Sequence, residues 1–258
     1  MPSGASPFFG DLENRSLPVT GGAGFIGKAP LGSIDRCVRA AFKAAQKVAY
    51  RWYFDTKIEG VGHIPLKSGF LVAANHASHL DMGLIKQALG SAGEELMSLA
   101  AKDYFFSSSL GRFFFGRFTN LVPLDRCEPK ESLRYASSLL GQGRNLLIFP
   151  EGTRSLDGRI NPFKPSIGYL ALKNQVDVLP IYLEGTYEAL PKGWLWPRAR
   201  RLRARIGPAI SFQELSELAQ NRPNNEAYRL VTARVEQAVR ALESAKLPQT
   251  IPDLAEFA

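Results

Sequence analysis

Short, unbroken apolar runs that stop abruptly at polar residues constrain the fold of this chain more than any other feature. Gly69-Phe70-Leu71-Val72-Ala73-Ala74 and Asn145-Leu146-Leu147-Ile148-Phe149 are two of them. Each has the length of a strand rather than a helix, and neither alternates with polar residues, so each reads as a buried strand. The same reading gives strands at 69–74, 95–101, 118–123, 145–149, 177–183 and 202–206, with helices at 34–53, 79–90, 130–141, 165–174, 211–220 and 225–245. Strands alternating with helices predict an α/β fold, a single domain with a mixed, largely parallel sheet flanked by helices. The 258 residues suffice for one such domain. It is expected at 33–245, after a Gly-, Ser- and Pro-rich flexible leader at 1–32 and before a loose tail at 246–258. In the last helix Tyr228, Val231, Val235, Val239 and Leu242 form an apolar stripe suited to core packing.

Polar residues at the ends of two runs carry the chemistry. After 69–74 comes Asn75-His76-Ala77-Ser78-His79-Leu80-Asp81. A neutral imidazole takes a proton from a hydroxyl near pH 7, and does so best with a carboxylate on its other nitrogen. His76 and Asp81 supply both groups, but positions i and i+5 of one α-helix stand about 140° apart. The pair therefore requires His76 on a strand-to-helix loop and Asp81 in the first helical turn. Leu80, Leu84, Ile85 and Leu89 at helical spacing support that junction. Ser78-His79-Leu80-Asp81 equally fits a capping-box variant in which Asp81 only caps a helix. No metal is expected, because the chain has three histidines and no further ligand cluster beside them.

The second run ends at Pro150, and Glu151-Gly152-Thr153-Arg154 forms the turn after it. Ligands of open α/β sheets bind outside the carboxyl ends of strands, so both motifs fall where an active site belongs. Gly152 would let a ligand approach the backbone, and Arg154 offers a planar fork suited to phosphate. An ordinary strand-to-loop turn with a surface ion pair would carry the same residues.

Together these residues resemble the glycerolipid acyltransferases typified by 1-acylglycerol-3-phosphate acyltransferase. That family's first block, Asn-His, four residues and Asp, is matched by Asn75, His76 and Asp81; its Phe-Pro-Glu-Gly-Thr-Arg block is matched at 149–154. Leu124-Asp125-Arg126 resembles the end of its second block, Val178-Leu179-Pro180-Ile181-Tyr182 its fourth, and Lys102 stands where the family often has a lysine. The resemblance implies an O-acyltransferase of phospholipid biosynthesis that needs no cofactor. His76 would deprotonate the acceptor hydroxyl, which attacks the thioester of acyl-CoA or an acyl carrier protein, and Asp81 would orient His76. Arg126, Glu151, Gly152, Thr153 and Arg154, with Lys102, would hold the phosphorylated acceptor. That acceptor would be 1-acyl-sn-glycerol 3-phosphate, giving phosphatidic acid, with no covalent acyl-enzyme. The chain departs from the family at Asn120, where a glycine is usual, and at Pro123; the departure bears on the acceptor, and another lysolipid is the alternative.

The chain holds 32 Lys and Arg against 24 Asp and Glu, a net +8. That charge suits anionic membranes and anionic substrates; given the other motifs, a lipid surface is expected rather than nucleic acid. Cys37 and Cys127 form no disulfide framework. The first residues carry no charged segment followed by an apolar core, so no signal peptide is expected, and the longest uncharged stretch, 68–80, is well short of about 18–20 residues, so no span is expected. The expectation is a peripheral protein on the cytoplasmic face of a membrane. Its lipid contacts would be a basic amphipathic helix at 34–53, the aromatic clusters at 104–106 and 113–115, and Trp194-Leu195-Trp196 with the arginines that follow. A helix packed on its own domain is the alternative for 34–53, and a non-catalytic membrane-surface protein the alternative for the whole. Val19-Thr20-Gly21-Gly22-Ala23-Gly24-Phe25-Ile26-Gly27 mimics a dinucleotide fingerprint, but Pro18 and Pro30 interrupt the strand and helix it needs.

Overall fold

The computed structural model describes residues 33–101, 121–124 and 129–244. The leader, the tail, the 104–106 and 113–115 clusters, Lys102, Asn120 and Arg126 lie outside them. Seven strands form one sheet: β1 (Lys57–Glu59), β2 (Leu71–Ala74), β3 (Met97–Ala101), β4 (Leu121–Leu124), β5 (Leu146–Ile148), β6 (Val178–Glu184) and β7 (Arg203–Ile206), in the order β1-β7-β6-β2-β5-β3-β4. Every neighbouring pair is parallel except β6 and β7. The helices are α1 (Ser33–Val48), α2 (Asp81–Ala88), α3 (Gly90–Glu94), α4 (Pro129–Gly141), α5 (Ser166–Asn174), α6 (Thr186–Ala189), α7 (Phe212–Ala219) and α8 (Asn224–Ser244). This is the α/β architecture expected, a mixed and largely parallel sheet between helices.

The unbroken apolar runs follow from burial on both faces. Leu71, Ala73, Leu146 and Ile148 join a core with residues of α4, α5 and α8, including the stripe Tyr228, Val231, Val235 and Val239. Val72, Ala74, Leu147 and Leu179 point the other way, into a core with Leu84 and Ile85 of α2 and with Tyr50 and Phe54. Two short elements have no apolar run behind them. β1 is an edge strand whose Lys57 and Glu59 pair at 3.1 Å, and α6 is one turn long.

The predicted helix 34–53 divides. α1 ends at Val48, and Ala49–Tyr53 wind into a π-helical turn whose buried residue is Tyr50. On the apolar side expected of this helix, Val38, Ala45, Val48 and Trp52 are exposed and Ala49 is half-buried, so those four positions are not packed on the domain. Among the described residues no helix is long and apolar enough to cross a membrane.

Register positions the site. β2 and β5 are adjacent and parallel with a constant offset: Leu71 faces Leu146 and Ala73 faces Ile148. Carried past the strand ends, that offset of 75 residues brings His76 opposite Glu151. The sequence separation of the two motifs is thus a consequence of strand pairing.

Candidate active site

His76 sits in the loop after β2, and Asp81 is the first residue of α2, the junction that the spacing required. His76 Nδ1 and Asp81 Oδ2 are 2.9 Å apart. Asp81 is wholly buried, whereas the His76 side chain keeps 22% of its surface. The same Asp81 oxygen accepts from the backbone N–H of Ala77 at 2.7 Å and of Ser78 at 2.8 Å. The carboxylate reaches back into its own loop, and its bond to the Ser78 N–H is the backward half of the expected capping box, made by the same oxygen that faces His76; the Asp81 N–H goes to the Ser78 carbonyl at 3.4 Å. Ser78 Oγ instead accepts from Leu80 N–H at 3.2 Å and donates to the Leu190 carbonyl at 2.8 Å. With Nδ1–H given to Asp81, the imidazole is left with its basic nitrogen, Nε2, which has no hydrogen bond to any described residue. A buried carboxylate on one ring nitrogen and a free, partly exposed second nitrogen are the parts of a general base.

The Glu151 loop clamps His76 on every side. Glu151 Oε1 accepts the His76 N–H at 2.7 Å, the His76 carbonyl accepts from Ser155 N–H at 2.7 Å, and the Phe149 ring stacks on the imidazole with centroids 4.0 Å apart. The other Glu151 oxygen accepts both the N–H and the side-chain amide of Asn161, each at 2.9 Å. Glu151 is buried; burial pushes its carboxyl pKa up, and these donors oppose that. Both its oxygens thus accept from protein donors, whereas the sequence-based expectation aimed Glu151 at the acceptor. On the other flank Asn75 extends the β2–β6 ladder with its side chain, donating to the Leu183 carbonyl at 3.0 Å and accepting its N–H at 2.7 Å.

Gly152 and Thr153 are exposed on the same loop, and Arg154 is half-buried. Gly152 has φ +73°, a left-handed conformation that favours glycine. Its open face is filled not by free space but by Lys164, whose Nζ would lie 2.5 Å from an added Cβ. Lys164 was not among the residues expected from the sequence; its only signal was a lone basic residue twelve positions past the motif glycine Gly152. Phe149, Ser155 and Asn161 were missed as supports for the same reason, that nothing but the fold brings them to His76. His79 projects near Arg154: burial first, then the Arg154 charge, then His76, lower its pKa to about 4. It is neutral at pH 7, and the cation there belongs to Arg154. A cavity of about 780 Å³ lined by Ile58, Ile64, Phe70, Leu89 and Asn145 opens at the amino ends of β2 and β5, away from this site.

The acyltransferase family's profile matches residues 55–184, just over half of the chain, spanning β1 to the end of β6. The chloroplastic 1-acyl-sn-glycerol-3-phosphate acyltransferase BAT2 of Brassica napus is 32% identical over 145 residues, which are 55% of this chain and 40% of that one. The 1-acyl-sn-glycerol-3-phosphate acyltransferase alpha of Mus musculus is 25% identical over 174 residues, 65% of this chain and 59% of that one. The chain thus spans two fifths to three fifths of the length of these relatives. The crystal structure of the 1-acyl-sn-glycerophosphate (LPA) acyltransferase PlsC from Thermotoga maritima superposes with a TM-score of 0.63 at 27% identity, covering 83% of each chain. With six of the seven strands, the His–Asp loop and the Glu-Gly-Thr-Arg loop inside the matched region, the chain belongs to the acyltransferase family.

Proposed function

We propose that this chain is an O-acyltransferase that moves a fatty acyl group from acyl-CoA or acyl carrier protein to the free hydroxyl of 1-acyl-sn-glycerol 3-phosphate, giving phosphatidic acid. The observation that carries the reading is the 2.9 Å contact from His76 Nδ1 to a fully buried Asp81, with Nε2 left open. Nε2 accepts the hydroxyl proton as the alcohol oxygen attacks the thioester carbonyl, and Asp81 stabilises the imidazolium that forms. The tetrahedral intermediate collapses by breaking the carbon–sulfur bond, and the leaving thiolate takes its proton from His76. The base is restored and no acyl-enzyme is made. Proton transfer of this kind contributes about 10²–10⁴ in rate.

Arg154 and Lys164, two cations of the Glu151 loop, are proposed to hold the acceptor phosphate, with Gly152 and Thr153 beside them. Arg126 and Lys102 join that set on the family resemblance. Glu151 is a positioning residue in this scheme, because it acts through the His76 backbone. The protein works from the membrane surface, peripherally and on the cytoplasmic face, where a lysophospholipid presents its hydroxyl. The test offers the purified protein a panel of lysolipids with acyl-CoA or acyl carrier protein, read by mass spectrometry. Phosphatidic acid from 1-acylglycerol 3-phosphate is expected; acylation of a different lysolipid alone overturns the acceptor, and no acylated product from any overturns the reaction.

A further inference from the structure

We infer that the loop 190–201 and the turn after α1 form one docking patch for an anionic bilayer, hydrogen-bonded to the catalytic loop; the inference rests on the acyltransferase reading for its purpose but not for its existence. Tryptophan is a residue that folded proteins largely bury. This chain has three, and all are exposed here: Trp52 at 78%, Trp194 at 49% and Trp196 at 82%, with Leu195 at 88% between the last two. Apolar side chains gathered at a surface mark an interaction site. The two segments are one surface because the Tyr53 hydroxyl donates to the Pro197 carbonyl at 2.9 Å and Arg201 pairs with Asp55 at 2.6 Å.

Charge selects the partner. Residues 46–56 and 190–201 carry six Lys and Arg and a single acid, Asp55, which Arg201 already engages. The Arg198 guanidinium lies 3.9 Å from the Trp194 ring centroid. A cation stacked on an indole presents an apolar body and a charged edge together, which suits the headgroup boundary of an anionic bilayer. Arg203 and Arg205 take no part, since they pair with Glu59 and Glu184 across the sheet edge.

Both halves of the patch hold the catalytic loop. The Tyr50 hydroxyl donates to the Leu80 carbonyl at 2.7 Å, and Ser78 Oγ donates to the Leu190 carbonyl at 2.8 Å. Leu80 and Ser78 lie between His76 and Asp81. Seating the patch in lipid therefore fixes the height of the base above the bilayer, where the hydroxyl of a lipid acceptor reaches it without leaving the membrane.

Because all three tryptophans lie in the patch, tryptophan emission of the full chain, excited at the red edge where tyrosine does not absorb, reports on it alone. With vesicles of phosphatidylglycerol and phosphatidylcholine, emission is expected to move to shorter wavelength and to be quenched by phospholipids brominated on the acyl chain; phosphatidylcholine alone gives a much smaller response. Trp194→Ala with Trp196→Ala is expected to weaken vesicle partition by roughly a hundredfold, on the order of tenfold per indole. It should abolish transfer to a vesicle-embedded acceptor while sparing a short-chain, water-soluble one. Leu195→Asp, at a highly exposed side chain, should do the same. Emission unmoved by anionic vesicles, emission moved by single-stranded oligonucleotide instead, or variants that partition like the parent overturn the inference. Quenching by brominated lipid in a protein that acylates no acceptor supports the patch and rejects the acyltransferase reading.

Discussion

Glu151→Gln separates a brace from a ligand. One Glu151 oxygen takes the His76 N–H at 2.7 Å and the other takes two donors of Asn161 at 2.9 Å. A glutamine has one acceptor for these three donors. Its better orientation keeps oxygen toward Asn161 and turns the NH₂ toward the His76 N–H, donor against donor. A hydrogen bond to a charged group is worth about 1.5–3 kcal/mol, and the orphaned amide costs about 1–3 kcal/mol more. Relief of the buried charge offsets part of this, since burial alone pushes the Glu151 carboxyl up. The net expectation is a loss of about 2–3 kcal/mol, read as a lower urea midpoint at constant slope. Displacing His76 should also lower kcat on the order of a hundredfold, the cost of a misplacement of about 1 Å, with acceptor KM little changed. An unchanged urea midpoint with a raised acceptor KM would refute the argument and return Glu151 to the substrate.

Three further outcomes follow from the same geometry. Gly152→Ala must hold alanine at positive φ and push Lys164 aside, so it should cost about 1–2 kcal/mol and raise acceptor KM as Lys164→Ala does; in a double-mutant cycle the two KM effects should not add, and full additivity contradicts a shared role. Gly83→Ala should destabilise the protein despite a helix-propensity gain of about 1 kcal/mol, because the new methyl meets the Tyr50 phenol; a rise in thermal midpoint counts against that packing. His79, held down to about 4, binds a proton less readily folded than unfolded, so its contribution to stability is full above about pH 6.5 and is lost as pH falls toward 4. His79→Gln should flatten that decline in urea midpoint across the window, and an unaltered slope argues against a neutral His79.

Much of the fold was legible because burial on both faces leaves a plain mark. The runs at 69–74, 145–149 and 177–183 became β2, β5 and β6, and the helical stripes became α2, α4, α5, α7 and α8 within a few residues. β1 was not legible, since the three-residue edge strand Lys57-Ile58-Glu59 carries no apolar run. The geometry of His76 and Asp81 could be deduced from the i, i+5 spacing and a helix origin. The direction of Glu151 could not. A carboxylate beside a glycine and an arginine reads as ligand-facing, and only the β2–β5 register, which sets residue 151 opposite residue 76, turns it toward a backbone N–H. Lys164 was illegible because its place over Gly152 depends on how the loop to α5 folds back, with Lys164 N–H on the Pro150 carbonyl at 2.9 Å. The exposure of Trp52, Trp194 and Trp196 likewise depends on which neighbours cover them, which periodicity does not state.

In the proposed reaction His76, oriented by Asp81, is the base that activates the acceptor hydroxyl. The direct measurement is the rate of phosphatidic acid formation from 1-acylglycerol 3-phosphate and acyl-CoA by His76→Ala beside the parent protein, with far-ultraviolet circular dichroism to show that both are folded. A loss of about 10²–10⁴ in kcat is expected for the folded variant. Transfer by folded His76→Ala at a rate near that of the parent would contradict that role.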